Sequence, residues 1–158
     1  KGLKLAYIGD GNNVAHSLAE ACAKAGMKFA VATPKGYECS GEIMERAKYA
    51  AQETGGEILQ TNPIEAISNA DAVYTDTWVS MGQEDQKEEK IKVFMPYQIN
   101  KELFSHAKAD AIFLHCLPAY RGYEMTEDII DSPSSVVFDE AENRLHAQKA
   151  VLVTLMQG

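Results

Sequence analysis

Four short stretches of the chain carry side chains whose types and spacing point to chemistry. The most specific is His115-Cys116-Leu117-Pro118, where an apolar run ends in a histidine and a cysteine and is then broken by Leu-Pro. A lone buried cysteine is usually inert packing. One at a strand terminus, beside a histidine and across from an aspartate, is a candidate for nucleophilic or proton-transfer chemistry. Adjacent side chains on an extended segment point to opposite faces. His115 and Cys116 are therefore poorly placed to chelate one metal ion or to form a nucleophile–base pair. A cis Leu117-Pro118 bond would turn backbone groups toward the same strand end.

The second stretch is Asp76-Thr77-Trp78-Val79-Ser80-Met81-Gly82. Asp76 follows an apolar run and reads either as a loop cap or as a counter-ion for a substrate ammonium. Trp78 fits packing better than recognition. Gly82 permits a hinge, and the charged residues after it read as a solvated surface loop or as the rim of a closing lid. The third stretch, Gly9-Asp10-Gly11-Asn12-Asn13, opens like a dinucleotide fingerprint. Val14 occupies the place of the third glycine, and no acidic residue stands where a ribose would be held. A nicotinamide-dependent oxidoreductase is disfavoured on both counts. Asn13 at the mouth of a helix both donates and accepts, which suits a zwitterion. The fourth, Glu140-Ala141-Glu142-Asn143-Arg144, offers Arg144 as a reader of phosphate or carboxylate, against the common fate of a surface ion pair. His16, His106 and His146 show no partner pattern and read as structural or exposed.

These stretches need elements to hold them. Apolar runs at residues 3–8, 28–32, 57–60, 72–75, 111–116 and 135–138 predict strands. Between them, helical spacing predicts helices at residues 14–25, 41–54 and 100–107, a short one opened by Asn62-Pro63, and a closing helix at 141–156. Residues 77–92 read as a long loop. Strands alternating with helices imply right-handed crossovers and a doubly wound, mostly parallel sheet with helices on both faces, a Rossmann-like three-layer sandwich. In such sheets ligands bind outside the carboxyl ends of the strands, near the point where strand order reverses. The loops after Ile8, Thr75 and Cys116 are the ones that rule selects.

Composition bounds the rest. The chain has 158 residues, 46% of them hydrophobic, enough for one domain with a real core. A formal net charge of −8 argues against nucleic acid or an anionic membrane as partner. No apolar run approaches the roughly 20 residues that cross a bilayer, and no leader pattern is present. Cys22, Cys39 and Cys116 form no paired motif, so a reducing cytoplasm is the expected compartment. The chain opens at Lys1 and runs directly into a core strand, which suggests a domain taken from a longer protein.

Taken together, the motifs resemble those of the ornithine carbamoyltransferases. Residues 9–17 (GDGNNVAHS), 32–37 (ATPKGY), 76–84 (DTWVSMGQE), 115–118 (HCLP) and 141–144 (AENR) match that family in order, across essentially the whole chain. The resemblance implies transfer of a carbamoyl group from carbamoyl phosphate to the δ-amine of L-ornithine, giving L-citrulline and phosphate without metal or cofactor. It assigns ornithine binding to Asn13, Asp76, Ser80 and Met81. It places Cys116, Leu117 and Arg144 at carbamoyl phosphate and makes Cys116 and Asp76 catalytic. It further implies that residues 1–158 are the ornithine-binding domain. The family's Ser-Thr-Arg-Thr-Arg loop and His-Pro-x-Gln segment do not occur in these residues, and would belong to an amino-terminal domain that also builds a homotrimer. The 158 residues alone would then be inactive. Related enzymes differ in the same loops. Aspartate carbamoyltransferases lack the cysteine after the histidine, and putrescine carbamoyltransferases lack the Ser-Met-Gly segment. Acetylornithine-type relatives carry a proline-rich insertion there. A putrescine carbamoyltransferase and a non-catalytic amino-acid-binding module stay open as alternatives.

Overall fold

The computed structural model describes residues 1–79 and 87–157. Five strands, β1 (Lys4–Ile8), β2 (Lys28–Ala32), β3 (Glu57–Gln60), β4 (Ala72–Thr75) and β5 (Ile112–His115), form a sheet in the order β3-β2-β1-β4-β5. Every strand pair is parallel. The helices are α1 (Asn13–Ala25), α2 (Gly41–Thr54), α3 (Pro63–Ile67), α4 (Lys87–Phe94), α5 (Lys101–Phe104), α6 (Glu127–Ile130) and α7 (Val137–Met156). The doubly wound reading is thus what the chain adopts.

The strands sort their side chains by the two-residue period of extended backbone. Leu5 and Tyr7 of β1 face one core cluster, with small and medium residues of α1 and α2 such as Ala15, Ala19, Met44 and Ala47. Ala6 and Ile8 face the other, with Ile67, Ile99, Met125 and Val137. Both faces are therefore buried, as a parallel sheet requires. The chain winds from β1 outward to β3, then returns to start β4 on the other side of β1. The reversal lies between β1 and β4.

Gly11 explains part of the glycine motif without any nucleotide. Its amide donates to Tyr37 O at 2.9 Å, and a Cβ there would lie 2.3 Å from Cys39 N. The absence of a side chain lets the β1 turn lie directly on the backbone after β2. Gly11→Ala is expected to cost about 1–3 kcal/mol, as overpacking does. At ~2–4 °C per kcal/mol for a chain of this size, thermal denaturation reads the loss directly. A melting temperature equal to that of the parent chain would show that the contact is not tight.

Several expectations are corrected. Residues 135–138 do not form a strand. Ser135 makes a single bridge to Phe113, and α7 already begins at Val137. A short apolar run is consistent with either element by periodicity alone, and here the buried Val137 anchors a helix. The predicted loop at 77–92 ends in α4, which starts at Lys87. The helix expected at 100–107 shortens to α5, capped by Asn100 through Leu103 N at 2.9 Å. Among the described residues, no helix is long and apolar enough to cross a membrane.

Candidate active site

The carboxyl ends of β1, β4 and β5 bring the predicted chemistry together. Asp76, immediately after β4, is 7% exposed and accepts three hydrogen bonds. Its Oδ2 receives Asn12 Nδ2 at 2.9 Å, and its Oδ1 receives Cys116 Sγ at 3.1 Å and Thr77 N at 2.7 Å. The carboxylate thus joins the exits of all three strands. It reaches the half-buried Cys116 thiol from the side opposite to the fully buried His115.

Asn12 was not among the residues singled out from sequence. It is the cap of α1: its Oδ1 accepts from Val14 N at 2.9 Å and Ala15 N at 3.2 Å, while its amide group reaches Asp76. Asn13, expected at the helix mouth, is the first residue of α1 and is exposed. It stands next to Asn12, and among the described residues no hydrogen bond joins its side chain to Asp76. Two tyrosines support these groups from below. Tyr7 and Tyr74 are register partners on β1 and β4 and stack with ring centroids 6.1 Å apart. The Tyr7 hydroxyl donates to Asp10 O at 3.0 Å and lies 3.4 Å from Asn12 Oδ1. The Tyr74 hydroxyl donates to Glu140 Oε1 at 2.7 Å.

Burial, then the Asp76 hydrogen bond and charge, push the Cys116 thiol up to about 12. It is therefore a protonated donor at neutral pH, because a buried group beside an anion favours its neutral form. Attack by a preformed thiolate is not what this arrangement offers. Tyr74 is likewise raised, by burial and by its bond to Glu140.

His115 turns away from Cys116, as the alternation of an extended segment requires. Its Nδ1 accepts from Leu117 N at 2.9 Å, which leaves Nε2 to carry the ring proton toward Glu124 Oε1 at 3.1 Å. Glu124 also receives Tyr120 N at 2.7 Å. Leu117 has a positive φ of 58°, and the Leu117-Pro118 bond is cis. Leu117 lies directly after Cys116, beyond the end of β5.

A buried cation ties the loops after β1 and β4 to α4. Lys90 of α4 is 3% exposed and donates to Asp10 Oδ2 at 2.7 Å and to Trp78 O at 3.0 Å. It also faces the rings of Tyr37 and Phe94. Trp78 is buried against Phe94, so the packing role read from sequence is the one it fills. Nothing local in the sequence marked Lys90, whose contacts are brought together only by the sheet.

Arg144 is not brought to this cluster. It lies one turn beyond Glu140 on an exposed stretch of α7, and among the described residues no hydrogen bond or ion pair joins it to Asp76 or Cys116. Ser80 and Met81 lie outside the described residues.

The comparisons with known proteins bear on this arrangement. Residues 1–155 match the model of the aspartate/ornithine carbamoyltransferase Asp/Orn binding domain. The chain belongs to that carbamoyltransferase family. It is 58% identical, over its full length, to an ornithine carbamoyltransferase of Thermococcus kodakarensis, and 60% identical to one of Halalkalibacterium halodurans over 99% of its length. It spans about half the length of these curated relatives, 50% in both cases. Among solved structures, the ornithine carbamoyltransferase of Pyrococcus furiosus superposes with a TM-score of 0.92 at 56% identity, covering 96% of this chain and 49% of that one. An N-acetyl-L-ornithine transcarbamylase superposes at 0.83 with 27% identity, covering 98% of this chain and 50% of that one. One carbamoyltransferase fold therefore serves more than one acceptor, and the acceptor must be read from individual residues.

Proposed function

We propose that this chain is the ornithine-binding domain of an ornithine carbamoyltransferase, which joins carbamoyl phosphate and L-ornithine to give L-citrulline and phosphate. The observation that carries the reading is the Asp76 carboxylate, held by Asn12 and bracketed by the Cys116 thiol at the strand-order reversal. The high identity to proteins named ornithine carbamoyltransferase supports it.

In this reading Asp76 pairs with the side-chain ammonium of ornithine and steers it toward the carbamoyl carbon. The amine must lose a proton before it attacks, and a carboxylate at that position accepts it or biases the equilibrium. The exposed Asn13 and the Ser80-Met81 segment hold the α-amino and carboxylate end. Cys116, a thiol donor, and the Leu117 backbone contact carbamoyl phosphate, and Arg144 reaches it in the complete enzyme. Orientation of two substrates and stabilisation of the tetrahedral oxyanion supply the acceleration, with no cofactor.

The complete enzyme contains a further, amino-terminal domain that binds carbamoyl phosphate, and it works as a cytoplasmic homotrimer. Support for a missing partner comes from α7. Phe138, Leu145, Leu152 and Leu155 recur at helical spacing along it, and all four are more than half exposed. An apolar stripe of that length needs cover. The biosynthetic direction has the support of a 56% identical Pyrococcus furiosus relative named the anabolic enzyme.

The test joins this chain to a matching amino-terminal half and follows citrulline formation from carbamoyl phosphate and ornithine, with putrescine and aspartate as competing acceptors. Citrulline as the dominant product is expected. Preference for putrescine would move the protein to a sister enzyme, and no carbamoyl transfer from a folded trimer would leave an amino-acid-binding module.

A further inference from the structure

Glu140 sits in the first turn of α7, at the one end of that helix that is packed into the domain. Its two carboxylate oxygens serve two different strands. Oε1 accepts from the Tyr74 hydroxyl of β4 at 2.7 Å, and Oε2 accepts from the backbone N–H of His115 in β5 at 2.9 Å. Tyr74 lies two residues before Asp76, and His115 immediately precedes Cys116. The two residues clamped by Glu140 therefore set where Asp76 and Cys116 emerge. Those two then meet at 3.1 Å.

We infer that Glu140 is a positioning residue: by holding the ends of β4 and β5 with one carboxylate, it fixes the Cys116 thiol on Asp76. The placement rests on the geometry alone, and its bearing on carbamoyl transfer rests on the proposed function. Glu140 touches neither reacting group. It acts through Tyr74 and through the β5 backbone, and it ties the seat of α7 to the thiol. Backbone bonds from Val136 N to Phe113 O and from Phe113 N to Ser134 O anchor the start of α7 to the same strand. Movement of that first turn is thus movement of the thiol's support.

Among the described residues, the charged and titratable groups facing the thiol are Asp76 and Tyr74 from β4 and its exit, Tyr7 from β1, and Glu140 from α7. Two variants separate the clamp from the charge. Glu140→Ala removes both. Glu140→Gln removes the charge but keeps a bridge, since its oxygen accepts from His115 N–H and its amide donates to the Tyr74 hydroxyl oxygen.

The readout is the alkylation rate of Cys116 in this chain by iodoacetamide, near the ordinary thiol pKa of about 8.5. Cys22 and Cys39 are both buried and report on unfolding in the same sample. Glu140→Ala is expected to raise the Cys116 rate about tenfold, the change in thiolate fraction when a pKa falls by about one, with Cys22 and Cys39 still protected. Glu140→Gln is expected to fall clearly short of that. An unchanged Cys116 rate in Glu140→Ala, or equal acceleration in both variants, overturns the positioning role. If Glu140→Ala labels all three cysteines, Glu140→Asp decides. It keeps the charge but is one methylene too short to reach both Tyr74 and the His115 N–H, so Cys116 alone should accelerate, and an unchanged rate overturns the inference. Alkylation of this chain needs no catalysis, so failure of the ornithine reading in the citrulline assay leaves this result standing, and the reverse also holds.

Discussion

Replacing Asp76 with alanine in the full-length enzyme should lower kcat/KM for ornithine by about 100- to 4,000-fold. The carboxylate is 7% exposed and collects the side chains of Asn12 and Cys116 and the Thr77 backbone N–H. An ammonium seated on it would be a desolvated ion pair. Removing one partner of such a pair costs about 3–5 kcal/mol. At ~1.4 kcal/mol per factor of ten, that is about two to three and a half orders of magnitude. Asp76→Asn keeps the shape and loses the charge, so it should fold as the parent does and remain as inactive as the alanine variant. It should also make Cys116 more acidic, because Asp76 is the largest contributor after burial to the thiol's raised pKa. Steady-state kinetics with ornithine varied at saturating carbamoyl phosphate, together with thiol alkylation, read both effects. Kinetics like those of the parent enzyme in Asp76→Asn would remove Asp76 from the amine site and the present assignment with it.

The carboxylate itself was visible in the sequence because it ends an apolar run, and the sheet rule sends such residues to the ligand face. The same reasoning found Cys116 and the three loops. Where the reading went astray, the cause is physical. Asn12 and Asn13 are adjacent and chemically identical. Which of them caps α1 depends on where the first helical turn begins, and boundaries are the weakest part of a pattern argument. The cap then decides which asparagine points at Asp76. Residues 135–138 carry the β-branched and aromatic types of a strand, but one bridge at Ser135 is all the sheet edge receives before Val137 is buried as a helix start.

Glu124, Glu140 and Lys90 were not legible for a different reason. Glu140 meets Tyr74 across 66 positions and Lys90 meets Asp10 across 80, while Glu124 meets His115 across only 9 but through the irregular turn that follows β5. No local pattern encodes such a pair. Glu140 did fall inside a stretch singled out for Arg144, where runs of charge read as solvated surface. A signal was available, since the buried Val137 places Glu140 one turn along α7, on the side facing the sheet. It could be read only once the helix was known to begin at Val137.

His115→Ala should be among the most destabilising single changes in the chain, by about 3–5 kcal/mol. The ring is fully buried, and both of its nitrogens are used. Truncation opens a cavity, strips Leu117 N–H of its acceptor and leaves the Glu124 carboxylate, 1% exposed, with the backbone N–H of Tyr120 as its one remaining hydrogen-bond donor among the described residues. The charge left behind, more than the lost volume, should dominate. A double-mutant cycle with Glu124→Gln tests that ordering, because residues in direct contact show non-additive losses. On the glutamine background no carboxylate is stranded, so His115→Ala should cost clearly less in urea denaturation. Equal costs on the two backgrounds would assign the loss to packing alone. The same cycle separates two roles for the histidine beside the cysteine. A partner in chemistry would leave stability largely intact and abolish turnover. A strut beneath Leu117 must move stability first, and with it the backbone from which Cys116 reaches Asp76.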